Sequence, residues 1–402
     1  MLEGTVHPEF AEVASTLRRG IPRSGRGGAA VCVYHRGRCV VDLWGGSRDG
    51  EGSPWREDTV SLSFSTTKGV ASTLLHILVE QGRAAYDDPV TRHWPEFGAQ
   101  GKDSVTIRQL LCHEAGLYRI ADMVEHPDEM LDWEHMIEVV ANAAPVHVPG
   151  AMHGYHALTY GWLAGGLIES IAQRPFQQVL REELVEPLNL EGMFIGMPPD
   201  AMARRATLLD ARVEPPELPA DDWRATVRER IETVLSAAGI ELPEFRASLM
   251  PFSEPFDWNG EAVAAAVIPA ANGHFTARAL AKMYAMIANG GELDGASLLS
   301  RATVAEIGRV QNRGRDKVLF VPMQWRLGYH RAFVLGSRVP DAFGHYGYGS
   351  SGAFCDPSRN LAVAMVVNSG AGSTGAYSRL PRLAGAAVRA VDRLRFSNGV
   401  TP

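Results

Sequence analysis

Lysine is scarce in this chain: Lys68, Lys102, Lys282 and Lys317 are its only four, within 39 lysines and arginines together. One of them closes Ser65-Thr66-Thr67-Lys68, the only S-x-x-K in the sequence. Residues three apart on a helix share a face and can touch. A hydroxyl is a weak nucleophile at neutral pH, and an amine whose charge is suppressed by its surroundings can take its proton. Ser65 and Lys68 therefore have the types and spacing of a nucleophile and its base. A second candidate is Tyr155, in Pro149-Gly150-Ala151-Met152-His153-Gly154-Tyr155-His156-Ala157. A phenol titrates near 10, so Tyr155 could act as a base only beside positive charge, which Lys68 could supply. The plainer reading is an amphipathic aromatic at a helix entry. A third segment is Gly344-His345-Tyr346-Gly347-Tyr348-Gly349-Ser350-Ser351-Gly352. Glycines this dense let a ligand or another backbone approach a strand closely. A backbone N–H there could join that of Ser65 in holding an oxyanion. Taken alone, the segment reads equally as a glycine-rich hairpin with a surface histidine.

Each candidate needs an element to hold it. Thr66–Gln81 has helical spacing, is apolar nearly all round and is closed by Gly82, so it reads as a buried central helix with Ser65 at its N-terminal end. Free N–H groups and the positive end of the helix dipole favour negative charge there. Leu158–Ala172 is a second apolar helix, entered just after Tyr155. Further helices are expected at Ala11–Arg18, Val105–Cys112, Trp133–Ala144, Asp222–Ala238 (after an exposed Pro215–Pro219 loop) and Thr276–Asn289. Ala30–His35 and Cys39–Trp44 flank Arg36-Gly37 as a hairpin. Strands are expected again at Trp325–His330, Ala332–Leu335, Phe343–Tyr348, Gly352–Cys355 and Leu361–Asn368, and Tyr377–Leu394 closes the chain as a helix. Strands at both ends of the chain with helices between them predict an α+β fold. The expected organisation is a sheet-and-helix domain from 1–85 and 286–402, and a mainly helical domain from 86–285.

The chain has 402 residues, 46% hydrophobic and 21% charged, with a formal net charge of -7. Such a balance favours neither nucleic acid nor an anionic membrane as a partner. There is no basic, then apolar leader at the start and no run of eighteen apolar residues, so a cytoplasmic location is expected. Of the four cysteines, Cys32, Cys39, Cys112 and Cys355, none is spaced C-x-x-C. Cys39 should face Tyr34 across the hairpin, not Cys32, so reduced, structural thiols are expected.

Together, the serine with lysine at +3, the tyrosine some ninety residues on and the H-x-G near the last strands resemble the serine β-lactamase and penicillin-recognising superfamily. Within it the chain is most similar to the class C β-lactamase-like carboxylesterases called family VIII. Val41–Gly46, Leu110–Leu117, Gly154–Leu163, Pro269–Gly273 and Phe354–Pro357 also look like segments of that family. The resemblance implies a β-lactamase/transpeptidase-like fold, an antiparallel sheet flanked by helices with an inserted helical domain. It implies Ser65 as the acylated nucleophile, and Lys68 and Tyr155 as the proton-transfer pair, with the base left open between them. It places His345 where β-lactamases usually carry the lysine of K-T-G, and an oxyanion hole at the backbone N–H groups of Ser65 and Tyr348, beside Gly347. Two departures bear on substrate: Ala157 stands where Y-x-N has its amide, and a histidine is mostly neutral at pH 7. Both favour neutral short-chain esters over charged lactams. The expected activity is ester hydrolysis without cofactor or metal. A β-lactamase, a D-amino-acid peptidase or an acyltransferase on the same site are the alternatives, and a non-catalytic binding protein on the same fold is a further one.

Other signals lead away from chemistry. No G-x-S-x-G marks a nucleophile elbow, and no phosphate loop or dinucleotide fingerprint is present. His153 and His156 lack a carboxylate or thiol partner in sequence, and His113 reads as a helix-ending residue. Trp325 and Tyr346 could wall a pocket or pack in the core.

Overall fold

The computed structural model describes residues 2–21, 27–209, 242–249, 256–370 and 376–397. Both ends of the chain build one sheet. Strands β1 (Leu2–Val6), β2 (Gly28–His35) and β3 (Arg38–Gly46) come from the N-terminal end. Strands β9 (His330–Arg331), β10 (Phe343–Tyr346), β11 (Gly352–Asp356) and β12 (Leu361–Val367) come from the C-terminal end. The seven strands lie in the order β1-β3-β2-β12-β11-β10-β9, each antiparallel to its neighbour. The fold is the expected α+β one.

Strand β2 shows why the sheet sits mid-molecule. Val31 and Val33 face the helices α1 (Ala11–Gly20) and α7 (Arg379–Ser397), in a cluster with Val13, Leu17, Leu383 and Val388. Ala30, Cys32 and Tyr34 point the other way, into the larger core. Side chains alternate across a strand, so a sheet covered on both faces needs an unbroken apolar run, and β2 is buried throughout. On the second face lies α6 (Ala277–Ala288), capped by Thr276. The sequence reading divides this helix at residue 285, yet it lies whole on β2, β11 and β12.

Beyond α6 is α2 (Thr66–Glu80), buried along nearly its whole length. It packs on α5 (Tyr160–Ala172) and under β10. Helices α3 (Ile107–Leu111), with a Thr106/Gln109 capping box, and α4 (Trp133–Asn142), capped by Asp132, complete that side. A small sheet of β4 (Ser61–Leu62), β6 (His274–Phe275) and β5 (Met193–Phe194) ties the approach to Ser65 to distant parts of the chain. A short hairpin, β7 (Glu292–Leu293) and β8 (Ala296–Ser297), follows α6.

Three expectations change. Leu2–Val6 is a strand that sequence gave no reason to expect, because it lies mostly exposed at the sheet edge and has no apolar alternation. Trp325–Tyr329 is no strand: Gly328 has φ +75° and the Arg326 N–H bonds back to Tyr329 O, so the chain turns before β9. Ala332–Leu335 leaves the sheet, and the Leu335 N–H reaches Pro381 O at the start of α7. The Asp222–Ala238 helix and the Pro215–Pro219 loop fall outside the described residues. Among the described residues no helix is long and apolar enough to cross a membrane.

Candidate active site

After β4 the chain makes a tight turn into α2. Phe64 takes φ +43°, in the left-handed region that is uncommon for a bulky residue. The turn is stitched on both sides. Thr67 Oγ1 donates to Phe64 O at 2.5 Å and accepts the Gly273 N–H at 3.0 Å, while the Ser63 N–H reaches Gly273 O at 2.8 Å. Ser65 follows at the N-cap of α2, yet its side chain makes no capping bond. The hydroxyl is left for its neighbours.

Those neighbours are two of the candidates. Lys68 Nζ lies 3.1 Å from Ser65 Oγ, and the Tyr155 hydroxyl donates to the same oxygen at 2.7 Å. Lys68 is fully buried, one turn inside α2. Its Nζ also meets the carbonyl oxygens of Ala157 at 2.6 Å and Ala270 at 3.0 Å. Burial holds its pKa well below the ordinary lysine value. A neutral amine has two hydrogens and one lone pair. In its neutral form, with a hydrogen on each carbonyl, the amine would turn its lone pair to Ser65 Oγ. Burial also pushes the Tyr155 phenol above its usual range, against the opposing Ser65 contact, so it stays protonated and serves as a donor.

The Ala270 carbonyl comes from the Pro269–Gly273 segment. Asn272 fixes that loop: its amide donates to Val263 O and Ala266 O, and its carbonyl accepts the Ile268 N–H. Tyr155 has its own platform. Its ring stacks on Trp325, centroids 5.5 Å apart and planes 10° apart. The buried Asp316 carboxylate accepts four N–H groups: the Tyr155 backbone at 3.1 Å, Val318 and Leu319 at 2.9 Å each, and Trp325 Nε1 at 2.9 Å. One carboxylate thus fixes both members of the stack. His113 does end α3, in the left-handed conformation at φ +62°. It also packs beneath, its ring 5.1 Å from Tyr155 and 4.2 Å from Trp325, with Nδ1 accepting the His156 N–H at 3.2 Å. His156 uses both ring nitrogens within the chain, on the Leu117 N–H and on Gly154 O.

The third segment comes in from the other side. His345 on β10 is buried, its ring 6.2 Å from that of Tyr155. Nδ1 meets Tyr346 O at 3.2 Å, and Nε2 has no partner among the described residues. Burial first, then His330 and Lys68, pushes its pKa well below the ordinary histidine value, so the ring is neutral at pH 7. Tyr346, next along the strand, faces the opposite side, and its hydroxyl donates to Phe333 O. Of the two suspected wall residues, Trp325 is at the site and Tyr346 is not. At Gly347 a Cβ would lie 2.2 Å from Ser63 O, so only glycine lets the strand end come against the turn that carries Ser65. Tyr348 follows, its ring 5.5 Å from Phe64. The Ser65 N–H makes no backbone hydrogen bond among the described residues.

Lys68 and Tyr155 thus meet the Ser65 hydroxyl directly, while His345 lies beside the Tyr155 ring, Gly347 against the turn that carries Ser65, and Tyr348 beside Phe64. Sequence reasoning missed Asp316, which sits in an irregular stretch with no motif around it, and the two carbonyl acceptors, which carry no side-chain signal. Pro269–Gly273 had been noted as a family-like segment, without a role.

A serine at the start of a buried helix, faced by a lysine, a tyrosine and a glycine-lined strand edge, defines a serine hydrolase of the β-lactamase/transpeptidase-like fold. The sequence pattern of the Beta-lactamase family matches residues 13–387, and the chain belongs to that family. It is similar to the esterase/beta-lactamase LipL of Mycobacterium tuberculosis, 38% identical over 370 residues, 91% of this chain and 82% of that protein. Among solved structures it is similar to a penicillin-binding protein homologue from Caulobacter crescentus, with TM-score 0.82 and 34% identity over 96% of this chain and 100% of that one. A family VIII carboxylesterase aligns with TM-score 0.83 and 30% identity over 97% of this chain and 100% of that one.

Proposed function

We propose that the chain is a carboxylesterase that hydrolyses short-chain carboxylic esters through an acyl-enzyme on Ser65. The observation that carries this reading is the placing of Ser65 Oγ between Lys68 Nζ at 3.1 Å and the Tyr155 hydroxyl at 2.7 Å, with two carbonyls holding the other directions of the amine. Ser65 Oγ attacks the ester carbonyl as its proton passes to the Lys68 lone pair. The N–H groups of Ser65 and Tyr348 receive the developing oxyanion. The alcohol leaves with a proton delivered through Tyr155, which regains one from Lys68. Water then enters by the same route in reverse and frees the acid.

Neutral surroundings support an ester over an anionic lactam. Buried His345 carries no charge, and Ala157 contributes its backbone carbonyl to Lys68 and a methyl group to an apolar cluster with Tyr118, Val318, Met323 and Trp325. On the other flank Phe64, Leu62, Leu208, Trp258 and Tyr348 form a second apolar patch. Such walls suit an uncharged acyl chain. The family VIII carboxylesterase named above supports the ester reading, while the name of LipL carries both activities.

Ser65→Ala should abolish hydrolysis of p-nitrophenyl acetate and butyrate with the thermal midpoint nearly unchanged, and a fluorophosphonate probe should label Ser65 of the unmodified protein. Wild-type turnover in the variant, or no labelling, would overturn the assignment. Catalytic efficiency on nitrocefin should fall below that on p-nitrophenyl butyrate; the reverse order would make lactam hydrolysis the main activity.

A further inference from the structure

Away from the site, the β2–β3 hairpin holds a second reactive constellation. Arg36 at φ +53° and Gly37 at φ +71° make its two-residue turn, and Tyr34 pairs with Cys39 as the sequence suggests. Further from the turn, Val33 pairs with Val41, so the register steps by one residue between Val33 and Tyr34. That step brings Cys39 back towards Cys32. Their sulfurs lie 3.7 Å apart, in contact although both thiols are free. Simple facing rules miss the pair because they place Cys39 opposite Tyr34 alone.

The two thiols are unequal. Cys39 is exposed, whereas Cys32 is fully buried in the larger core. The hydrogen bond from Cys32 favours the Cys39 thiolate, while burial keeps Cys32 protonated. An accessible sulfur whose pKa is lowered, beside a sheltered partner 3.7 Å away, is the arrangement of an attacking and a resolving cysteine. Cys112 and Cys355 differ: both are buried, and their sulfurs lie 3.6 Å from the carbonyl oxygens of Arg326 and Phe343. Burial raises both thiols well above their ordinary range.

We infer that Cys32 and Cys39 form a peroxide-oxidisable dithiol site that closes into a disulfide across the hairpin. The co-reactant is a hydroperoxide, with hydrogen peroxide as its simplest member. The Cys39 thiolate attacks one peroxide oxygen, an S–O bond forms, the O–O bond breaks, and the departing hydroxide takes up a proton as water. The Cys32 sulfur then attacks Cys39 sulfenic acid. The S–S bond forms, the S–O bond breaks, and the hydroxide leaves as a second water with the Cys32 proton. Two thiols lose two electrons and one peroxide gains them. Closing the bond asks the sulfurs to approach by about 1.7 Å, the difference between contact and a disulfide of roughly 2.0 Å. Cys39 lies near the turn, where the hairpin end can follow.

The test uses the whole protein and does not involve the esterase assay. Trypsin cuts after Arg36 and Arg38, so the two cysteines fall on separate peptides, 27–36 and 39–48, that only a disulfide would join. After brief exposure of the native protein to equimolar peroxide, mass spectrometry should find these peptides linked with the loss of two hydrogens. The link should disappear with dithiothreitol, and Cys112 and Cys355 should stay unmodified. In Cys32→Ser, dimedone should trap Cys39 as the sulfenic acid. The inference fails if the wild-type peptides stay unlinked, if Cys39 accumulates as sulfinic acid while Cys32 stays reduced, or if Cys112 or Cys355 reacts first.

Discussion

The two flanks of Ser65 are built on opposite principles. On the Lys68–Tyr155 flank the polar groups are tied down: Lys68 by two carbonyls, Tyr155 by its stack on Trp325, and both stack members by Asp316. On the β10 flank the chain is pared back: Gly347 has no side chain, Gly349 and Ser350 take φ +80° and +92°, and His345 Nε2 is left unpartnered. Proton transfer needs a fixed lone pair at a fixed distance, which a saturated network gives. Receiving a substrate needs unspent donors and room, which glycine and local strain give. The difference accords with the roles proposed above for the two flanks.

The largest effect should come from the saturated flank. Lys68→Ala removes the proposed base and should lower kcat on p-nitrophenyl butyrate by about 10^3-fold, at the upper part of what positioned acid–base groups contribute. The pH profile of the unmodified protein tests the same point. Lys68 must be neutral to accept a proton, and its pKa lies well below the ordinary lysine value. Protonation on the acid side therefore switches the base off, so kcat/KM should fall as pH drops through that pKa. On the alkaline side the Tyr155 phenol is held above its usual range by burial, so no loss should appear through neutral pH. A profile that stays flat down to the ordinary carboxylate range, about pH 4, and falls only there would make a carboxylate the working base instead.

The next effect belongs to the open flank. Gly347→Ala puts a methyl group 2.2 Å from Ser63 O, which must push the strand end away from Ser65. Withdrawing one oxyanion donor should reduce kcat by about 10^2-fold with a smaller change in KM. Equal losses in both variants on every substrate, with a large fall in thermal midpoint, would mean that both flanks serve stability alone.

Sequence legibility follows the same divide. Ser65 and Lys68 could be read because one helical turn fixes their relation, and Thr66–Glu80 is apolar enough to be recognised as a core helix. The hairpin and the strands at Phe343, Gly352 and Leu361 were legible from alternation and turn residues. Tyr155 and the Gly344–Gly352 segment stood out locally only as ambiguous candidates; the joint roles of Tyr155, His345 and Gly347 emerged from a family resemblance, since no local rule joins residues ninety or more positions apart. Asp316 was not legible at all. Its role rests on four donors from positions 155, 318, 319 and 325, and only the folded chain brings them together. The edge strand Leu2–Val6 was missed because an exposed strand carries no burial pattern.

Asp316 gives the third prediction, a positioning effect smaller than either above. In Asp316→Asn one acceptor oxygen remains, but an amide NH2 must face either Trp325 Nε1 or the three backbone N–H groups. The Tyr155–Trp325 stack should loosen and kcat fall by about 10-fold, the range expected of a sub-ångström misplacement. Indole fluorescence should change in parallel, because Trp325 loses part of its hold. A structural role alone would shift the thermal midpoint and leave the acid limb of the pH profile in place; a positioning role should also move that limb, because Lys68 and Tyr155 share Ser65 Oγ.

The smallest effect should come from His345→Lys. The variant offers an ammonium group where this chain has a neutral ring, which would draw a carboxylate-bearing lactam. Two features oppose that charge: the position is buried, and Lys68 already acts on it with a repulsive field. A lysine there would be protonated only in part, and what it gains on an anionic substrate would resemble a weak ion pair. The ratio of kcat/KM on nitrocefin to that on p-nitrophenyl butyrate should rise by about fivefold, equivalent to ~1 kcal/mol. A rise of more than about 100-fold would place selectivity in this one side chain. No rise would place it in the apolar walls around Phe64 and Trp325, and the open flank would then select by shape alone.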